Sequence, residues 1–421
     1  MASLPAPILE ALQFEASNRA NGSVLEDAFY DVPKDAANAT PGTSLKVEDV
    51  DTNKYLLPPC VAMSRLLYMS ETLTGSRVPV SACVLWPFSP KNQGDGYPIA
   101  AWAHGTSGNT PDCAPSNHKA VWQHFLGPYQ LVTQGYVVVA TDYAGLGVHK
   151  TQSGEPIIHQ YLACPSHAND IIYAVQAAQE AFAELSKHFV VVGHSQGGGA
   201  AWATAQRQVN QPISGYLGAV AISPVTTILD QPEPLLSVIG TAMCPGIATT
   251  FPDFKLADVL TPEGQQRLAM MDQAKAGLSS GMGLLLGANL MNEHWKENPY
   301  VQRYYSMISN GGKEIRGPLL VVHGGTDDKL NAAITTAAVN KTAEIFPGSQ
   351  LEYYFLPNVS HVPALQATQR IWMEWIASRF AGCEVKPECR SVTLTPARPI
   401  ESYQAEQNWY VEPATQFFHA P

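Results

Sequence analysis

Apolar runs alternate with amphipathic stretches along most of this chain, and the two kinds of segment predict strands and helices in turn. Residues 136–141 (Tyr-Val-Val-Val-Ala-Thr) are almost wholly apolar, as expected of a parallel strand buried on both faces. Residues 190–192, 216–222, 319–323 and 351–356 read the same way, and 76–86 and 97–103 precede them as strands, joined through a hairpin-like loop at 89–96. Between the strands, 117–134, 167–185 and 364–381 suit helices, with Gly135 as the C-cap of the first. A run of small residues, 197–205, suits a helix lying close to a sheet. Strand and helix in alternation indicate an α/β architecture: a mainly parallel sheet with helices on both faces.

Two regions break this rhythm. Residues 1–59 are rich in Ala, Pro, Asn and Asp with little periodicity, so 1–75 is expected to be an N-terminal arm with a few helical turns. The stretch 226–316, between the strands at 216–222 and 319–323, far exceeds an ordinary connection of ~2–6 residues. It reads as a helical insert, a cap above the C-terminal edge of the sheet. Six of the ten methionines fall in it: Met243, Met270, Met271, Met282, Met291 and Met307. They serve either as filler between helices or as an adaptable apolar wall. The tail, 387–421, carries Tyr403, Trp409, Tyr410, Phe417 and Phe418 and is expected to lie on the body. No internal repeat or low-complexity tract is present, so 1–421 is expected to form a single domain with an insert.

Composition narrows the partners. Charged residues make up 14% of the 421 residues, against a usual ~25%, which suits a large core. The formal net charge of −11 argues against nucleic acid as a partner. No run of 18 or more apolar residues suggests a transmembrane helix. The first residues, Met-Ala-Ser-Leu-Pro-Ala-Pro-Ile, have neither a basic region nor an apolar core, so no secretory signal is expected and an intracellular location is favoured. Seven cysteines leave at least one thiol unpaired. Cys383 with Cys389 and Cys113 with Cys244 are candidate bridges, and free thiols are the equal alternative. The N-x-S/T sequons at Asn21, Asn38, Asn340 and Asn358 matter only on a secretory route.

The chemistry centres on Gly193-His194-Ser195-Gln196-Gly197, a G-x-S-x-G pattern between the strand at 190–192 and the small-residue helix. A nucleophile at such a turn takes a strained backbone, and the residues two before and two after it must be small. The turn lifts the Ser195 hydroxyl to a helix N-terminus, where N–H groups favour developing negative charge. The alternative is an ordinary glycine-rich turn. A serine nucleophile needs a base, and the base an orienting carboxylate. Gly324-Gly-Thr-Asp-Asp328 follows the strand at 319–323, and Asn358-Val-Ser-His361 follows the strand at 351–356. His361 is the candidate base. The His-Gly-x-x-Asp turn favours Asp327 over Asp328 as the carboxylate. Two N–H donors should face the tetrahedral intermediate. Gln196, after the nucleophile, should supply one and Thr106, in the loop after 97–103, the other, with its hydroxyl as a possible third. His104 reads as a residue bracing that loop, and 142–147 as a turn lining the pocket or bracing the sheet. No metal is expected: no H-E-x-x-H or C-x-x-C occurs, and His118 and His124, six apart, do not share a helix face. No phosphate loop, and hence no cofactor, is implied.

With Trp102-Ala-His-Gly-Thr106, Cys113-Ala-Pro-Ser116 and Gly193-His-Ser-Gln-Gly197, the chain resembles the fungal secretory lipases of the lipase A type over roughly residues 60–385. The resemblance implies an α/β-hydrolase fold, a helical cap inserted after the sixth strand, and hydrolysis of carboxylic esters. It also implies a triad of Ser195, Asp327 and His361 and an oxyanion loop around Thr106. Secretion would follow from it if a signal has been removed. The expected substrate is a small-molecule or lipid ester. Two rivals stand beside the ester hydrolase: an acyltransferase with the same triad, and a non-catalytic binding protein of the same fold.

Overall fold

Strands form where the apolar runs are, and their alternating residues feed two separate cores. The protein is seen in a computed structural model that describes residues 4–92, 94–122 and 127–403. Among these residues ten strands form one sheet: β1 (Ser44–Asp49), β2 (Val61–Glu71), β3 (Arg77–Pro87), β4 (Tyr97–Ala103), β5 (Val137–Thr141), β6 (Leu185–His194), β7 (Tyr216–Ile222), β8 (Leu319–Gly324), β9 (Leu351–Leu356) and β10 (Cys389–Thr393). Their spatial order is β1-β2-β3-β5-β4-β6-β7-β8-β9-β10. From β5 through β10 every neighbouring pair is parallel, whereas β1, β2 and β3 meet their neighbours antiparallel.

The helices are α1 (Ala6–Ser17), α2 (Pro128–Thr133), α3 (Cys164–Ala181), α4 (Gln196–Asn210), α5 (Leu235–Thr250), α6 (Pro262–Ala274), α7 (Leu278–Leu285), α8 (Pro299–Ile308), α9 (Ala332–Ile345), α10 (Pro363–Ala367) and α11 (Gln369–Phe380). Val191, Ala219 and Val321 face a core shared with α3, α4 and α9, among them Ile171, Trp202 and Val339. Val192, Val220 and Val322 face the opposite core, closed by Leu131 of α2 and by Trp372 and Ile376 of α11. Burial on both faces explains why these strands read as continuous apolar runs.

The chain from 226 to 316 contributes α5 to α8. Their apolar faces gather Leu236, Met243, Ile247, Tyr304 and Ile308 into a third cluster that also takes in Tyr161 and Leu162. A fourth cluster joins α7 to α1 through Ile8, Met271 and Leu284. Glu15 of α1 caps α7, its carboxylate accepting from the Gly277 and Ser280 amides at 2.9 and 3.0 Å. The segment also touches the loop after β4: Gly108 bridges to Gly277, and the Asn109 side chain donates to the Ala242 carbonyl at 2.9 Å. No helix among the described residues is long and apolar enough to cross a membrane.

Several elements differ from the sequence reading. Residues 44–71 hold two strands of the sheet where only helical turns were expected. Polar residues interrupt β2, and its buried Arg65 is matched by Asp27 and Glu48 at 2.6 and 2.5 Å, partners remote in sequence. The segment 89–96 is no hairpin, because β5 lies between β3 and β4. The helix expected over 117–134 is only α2. Val121 and Trp122 have φ of 51° and 40°, which a helix forbids, and His124 lies outside the described residues. Gly135 does sit past the end of α2 at φ +87°. The closing helix breaks at Thr368, whose φ is −110°, into α10 and α11. The tail adds β10, and its Trp409, Tyr410, Phe417 and Phe418 lie outside the described residues. All seven cysteines are unpaired, so neither candidate bridge forms.

Candidate active site

The turn between β6 and α4 carries Ser195 at φ 58°, ψ −118°, a conformation L-residues rarely hold. Two glycines let strand and helix close around it. A methyl on Gly193 would lie 2.1 Å from the Gly197 carbonyl oxygen, and one on Gly197 would lie 1.9 Å from that of Ala103. The second approach brings the end of β4, and with it the loop 104–106, against the first turn of α4. Ser195 is partly exposed. Its own backbone is fixed: its N–H donates to Ile222 O at 2.9 Å, and its carbonyl accepts from Gly199 and Val225. Gln196 opens α4, so its N–H has no acceptor within the helix.

The loops after β8 and β9 meet here. His361 Nδ1 lies 2.6 Å from Asp327 Oδ2. A carboxylate only accepts, so Nδ1 carries the proton and Nε2 is left as the basic nitrogen. The His361 carbonyl accepts from His194 Nε2 at 3.2 Å and from Ser223 Oγ at 3.1 Å, and the His194 and His361 rings are 4.7 Å apart. The histidine is thus tied to the residue preceding Ser195. The Asp327 side chain is buried and takes four donors: Oδ2 from His361 and from His323 Nε2 (2.9 Å), Oδ1 from the Lys329 and Leu330 amides (both 2.8 Å). Burial alone would raise its pKa, but hydrogen bonds from His323 and His361, and their charge, outweigh this and hold the carboxyl far below its usual range. Asp328 lies at the surface and pairs with Lys329 at 2.8 Å.

Thr106 lies in the loop after β4, its hydroxyl 3.0 Å from the Tyr161 hydroxyl. The Gln196 side chain meets His159 Nε2 at 3.3 Å. His104 is buried, with its ring nitrogens 2.7 Å from Gly105 O and 3.2 Å from Asp142 O, and it stacks on Tyr143 at 4.3 Å. It braces the loop, as expected. The turn 142–147 also braces: Asp142 accepts from Ser81 Oγ at 2.5 Å and from the Ser116 amide at 2.8 Å. His323, His159 and Tyr161 were not singled out from the sequence. His323 had a signal, since it opens the His-Gly-x-x-Asp turn and sits four residues before Asp327. The other two are brought in only by the fold.

Behind these residues lies a stack of imidazoles. The rings of Tyr143 and His167 are 4.3 Å apart, and those of His159 and His167 5.3 Å. Burial lowers the pKa of His104 and His159 to about 4, of His194 to about 3 and of His167 well below its usual value. Burial raises Asp142 to about 6 and Asp170 to about 7. Between pH 7 and 4 the unfolded histidines take up protons that the folded ones refuse, so stability falls as pH falls. The two carboxyls oppose this, because folded they bind a proton more tightly than unfolded. Four histidines outweigh two carboxyls, and stability should drop by on the order of 2 kcal/mol from pH 7 to 5.5. Urea midpoints at the two pH values check this. An equal or higher midpoint at pH 5.5 would contradict it.

Residues 102–372, more than half of the chain, match the alpha/beta hydrolase family. No curated protein matches the chain. Among solved structures, Candida antarctica lipase A superposes with a TM-score of 0.72 at 16% identity, over 89% of this chain and 90% of that one. Its closed state gives a TM-score of 0.70 at 16% identity, over 88% and 90%. A rice cell wall degrading esterase from Xanthomonas oryzae gives 0.62 at 18% identity, over 81% of this chain and 98% of that one. At these identities the likeness is one of fold.

Proposed function

The chain belongs to the alpha/beta hydrolase family, and on that premise we propose that it is a serine carboxylic ester hydrolase working through an acyl-enzyme. Ser195 Oγ attacks the acyl carbon and gives its proton to His361 Nε2. Asp327 holds the tautomer that leaves Nε2 basic and stabilises the imidazolium. The Gln196 and Thr106 amides receive the oxyanion. Collapse breaks the acyl–alkoxy bond, and the leaving alcohol takes the proton from His361. Water then repeats the sequence and frees the acid. One observation carries this reading: the 2.6 Å bond from His361 to Asp327, in a loop anchored to the residue before Ser195. The fold likeness to a lipase and to an esterase agrees with it in kind. Labelling of Ser195 by a fluorophosphonate, with turnover of a soluble ester, tests it. An unlabelled, inactive protein of native fold would refute it.

The helical insert then acts as a cap that takes the acyl group. No charged residue occurs from Leu278 to Leu290, and α7 is largely apolar. Each CH₂ buried there is worth about 0.8 kcal/mol, roughly a three- to fourfold gain per carbon. kcat/KM should therefore rise with acyl length over the first several carbons and then fall as the pocket fills. A flat profile across p-nitrophenyl esters of graded length would remove the insert from the acyl site.

A further inference from the structure

The chain between β5 and α3 passes behind the candidate oxyanion hole, and three consecutive residues there reach three different parts of the site. His159 Nδ1 lies 3.0 Å from the Ala144 carbonyl. A carbonyl only accepts, so Nδ1 carries the proton, and in the neutral ring Nε2 accepts from the Gln196 side-chain amide at 3.3 Å. Gln160 turns the other way and donates to Thr250 Oγ1 at 3.1 Å, at the end of α5. Tyr161 is buried in the apolar cluster of the insert, and its hydroxyl lies 3.0 Å from Thr106 Oγ1. One stretch thus grips both residues assigned to the oxyanion hole and the insert above it.

The burial of the two hydroxyls favours one direction for the Tyr161–Thr106 bond. Either hydroxyl has one proton. Tyr161 is 8% exposed, and among the described residues Thr106 Oγ1 is the only partner of its hydroxyl. A buried O–H left without an acceptor is costly, so the phenol spends its proton on the threonine. Burial raises the phenol to about 12, which keeps that proton in place. Thr106 is only partly buried, and its own proton remains for a group entering from solvent. We propose that Tyr161 is a positioning residue: its hydroxyl donates to Thr106 Oγ1 and turns the threonine O–H toward the oxyanion as a third donor beside the two amides. The proposal rests on the serine-hydrolase reading above and deepens it. Charge builds on the acyl oxygen only on the way to the tetrahedral state, so such a donor acts on kcat.

The test compares Tyr161→Phe, Thr106→Val, Thr106→Ser and the double variant Tyr161→Phe/Thr106→Val on p-nitrophenyl butyrate. Each is also titrated with an aliphatic trifluoromethyl ketone, which forms a tetrahedral oxyanion adduct with a serine. Tyr161→Phe keeps the buried ring and should lower kcat about tenfold with KM within about twofold, and weaken the ketone about tenfold. In the Thr106→Val background the same change should cost nothing more. Thr106→Ser, which retains the hydroxyl, should keep the sensitivity to Tyr161→Phe that Thr106→Val abolishes. Equal losses from Tyr161→Phe with and without the threonine hydroxyl, or a loss confined to KM, would overturn the proposal. Fluorophosphonate labelling separates the two levels. A wild type that fails to label sinks the serine-hydrolase reading itself, whereas full labelling with no effect of Tyr161→Phe overturns this inference alone.

Discussion

Ser195→Ala should fold as the wild type does and lose ester turnover by on the order of 10⁴-fold or more, together with all fluorophosphonate labelling. The folding half of this expectation follows from which atoms of Ser195 the structure uses. Its N–H and carbonyl hold the turn through Ile222, Gly199 and Val225, and alanine keeps all three bonds. The strained φ of 58° costs alanine about what it costs serine, since both carry a Cβ. The catalytic half follows from the removal of the only atom proposed to bond to the acyl carbon. What remains is water oriented by His361 and whatever the amides of the oxyanion hole contribute. Matched urea midpoints for the two proteins, beside kcat on a soluble ester, separate the two halves. A variant that folds and still hydrolyses the ester at a comparable rate would place the nucleophile elsewhere.

The parts of this fold legible from the sequence share one physical property. Strands β5, β7 and β9 match the expected 136–141, 216–222 and 351–356 almost residue for residue, because each is a short run rich in apolar, β-branched or aromatic residues, too short for a helix. β2 was not legible. Its Ser64, Arg65 and Ser70 look like surface residues, and only Asp27, Glu48, Asp49 and Asp170, distant in sequence, make their burial tolerable. Trp122, too, reads as helical locally but follows a left-handed turn that tertiary packing imposes. The site divides the same way. Ser195, Asp327 and His361 could be proposed from the sequence because each follows a strand in an ordered series. His159 and Tyr161 belong to a connection with no periodicity of its own, and only the sheet order brings them against Gln196 and Thr106.

Asp327→Asn should cost activity on the order of 10⁴-fold in kcat, whereas Asp328→Asn should leave it within about twofold. The two residues are adjacent and chemically identical, so the difference tests geometry alone. Every oxygen position of Asp327 faces donors: Oδ1 faces the amides of Lys329 and Leu330, and Oδ2 faces His361 Nδ1 and His323 Nε2. An asparagine can offer an oxygen to one pair only. If it keeps the two backbone amides, its NH₂ confronts two imidazole N–H groups. His361 is then driven to carry its proton on Nε2, where it can no longer accept one from Ser195. If the NH₂ is turned the other way, the Lys329 and Leu330 amides, the second of them part-buried, lose their acceptor and the loop after β8 is destabilised instead. Either way the loss is large, and urea midpoints tell which has occurred: unchanged stability marks the wrong tautomer, lowered stability the disrupted turn. Asp328 has no such role. Its side chain is 53% exposed and among the described residues pairs only with Lys329, an ion pair whose loss should cost about 0–1 kcal/mol of stability and nothing in the reaction. Equal losses in the two variants, or a greater loss from Asp328→Asn, would mean that His361 takes its orientation from another group, and the carboxylate would have to be sought again.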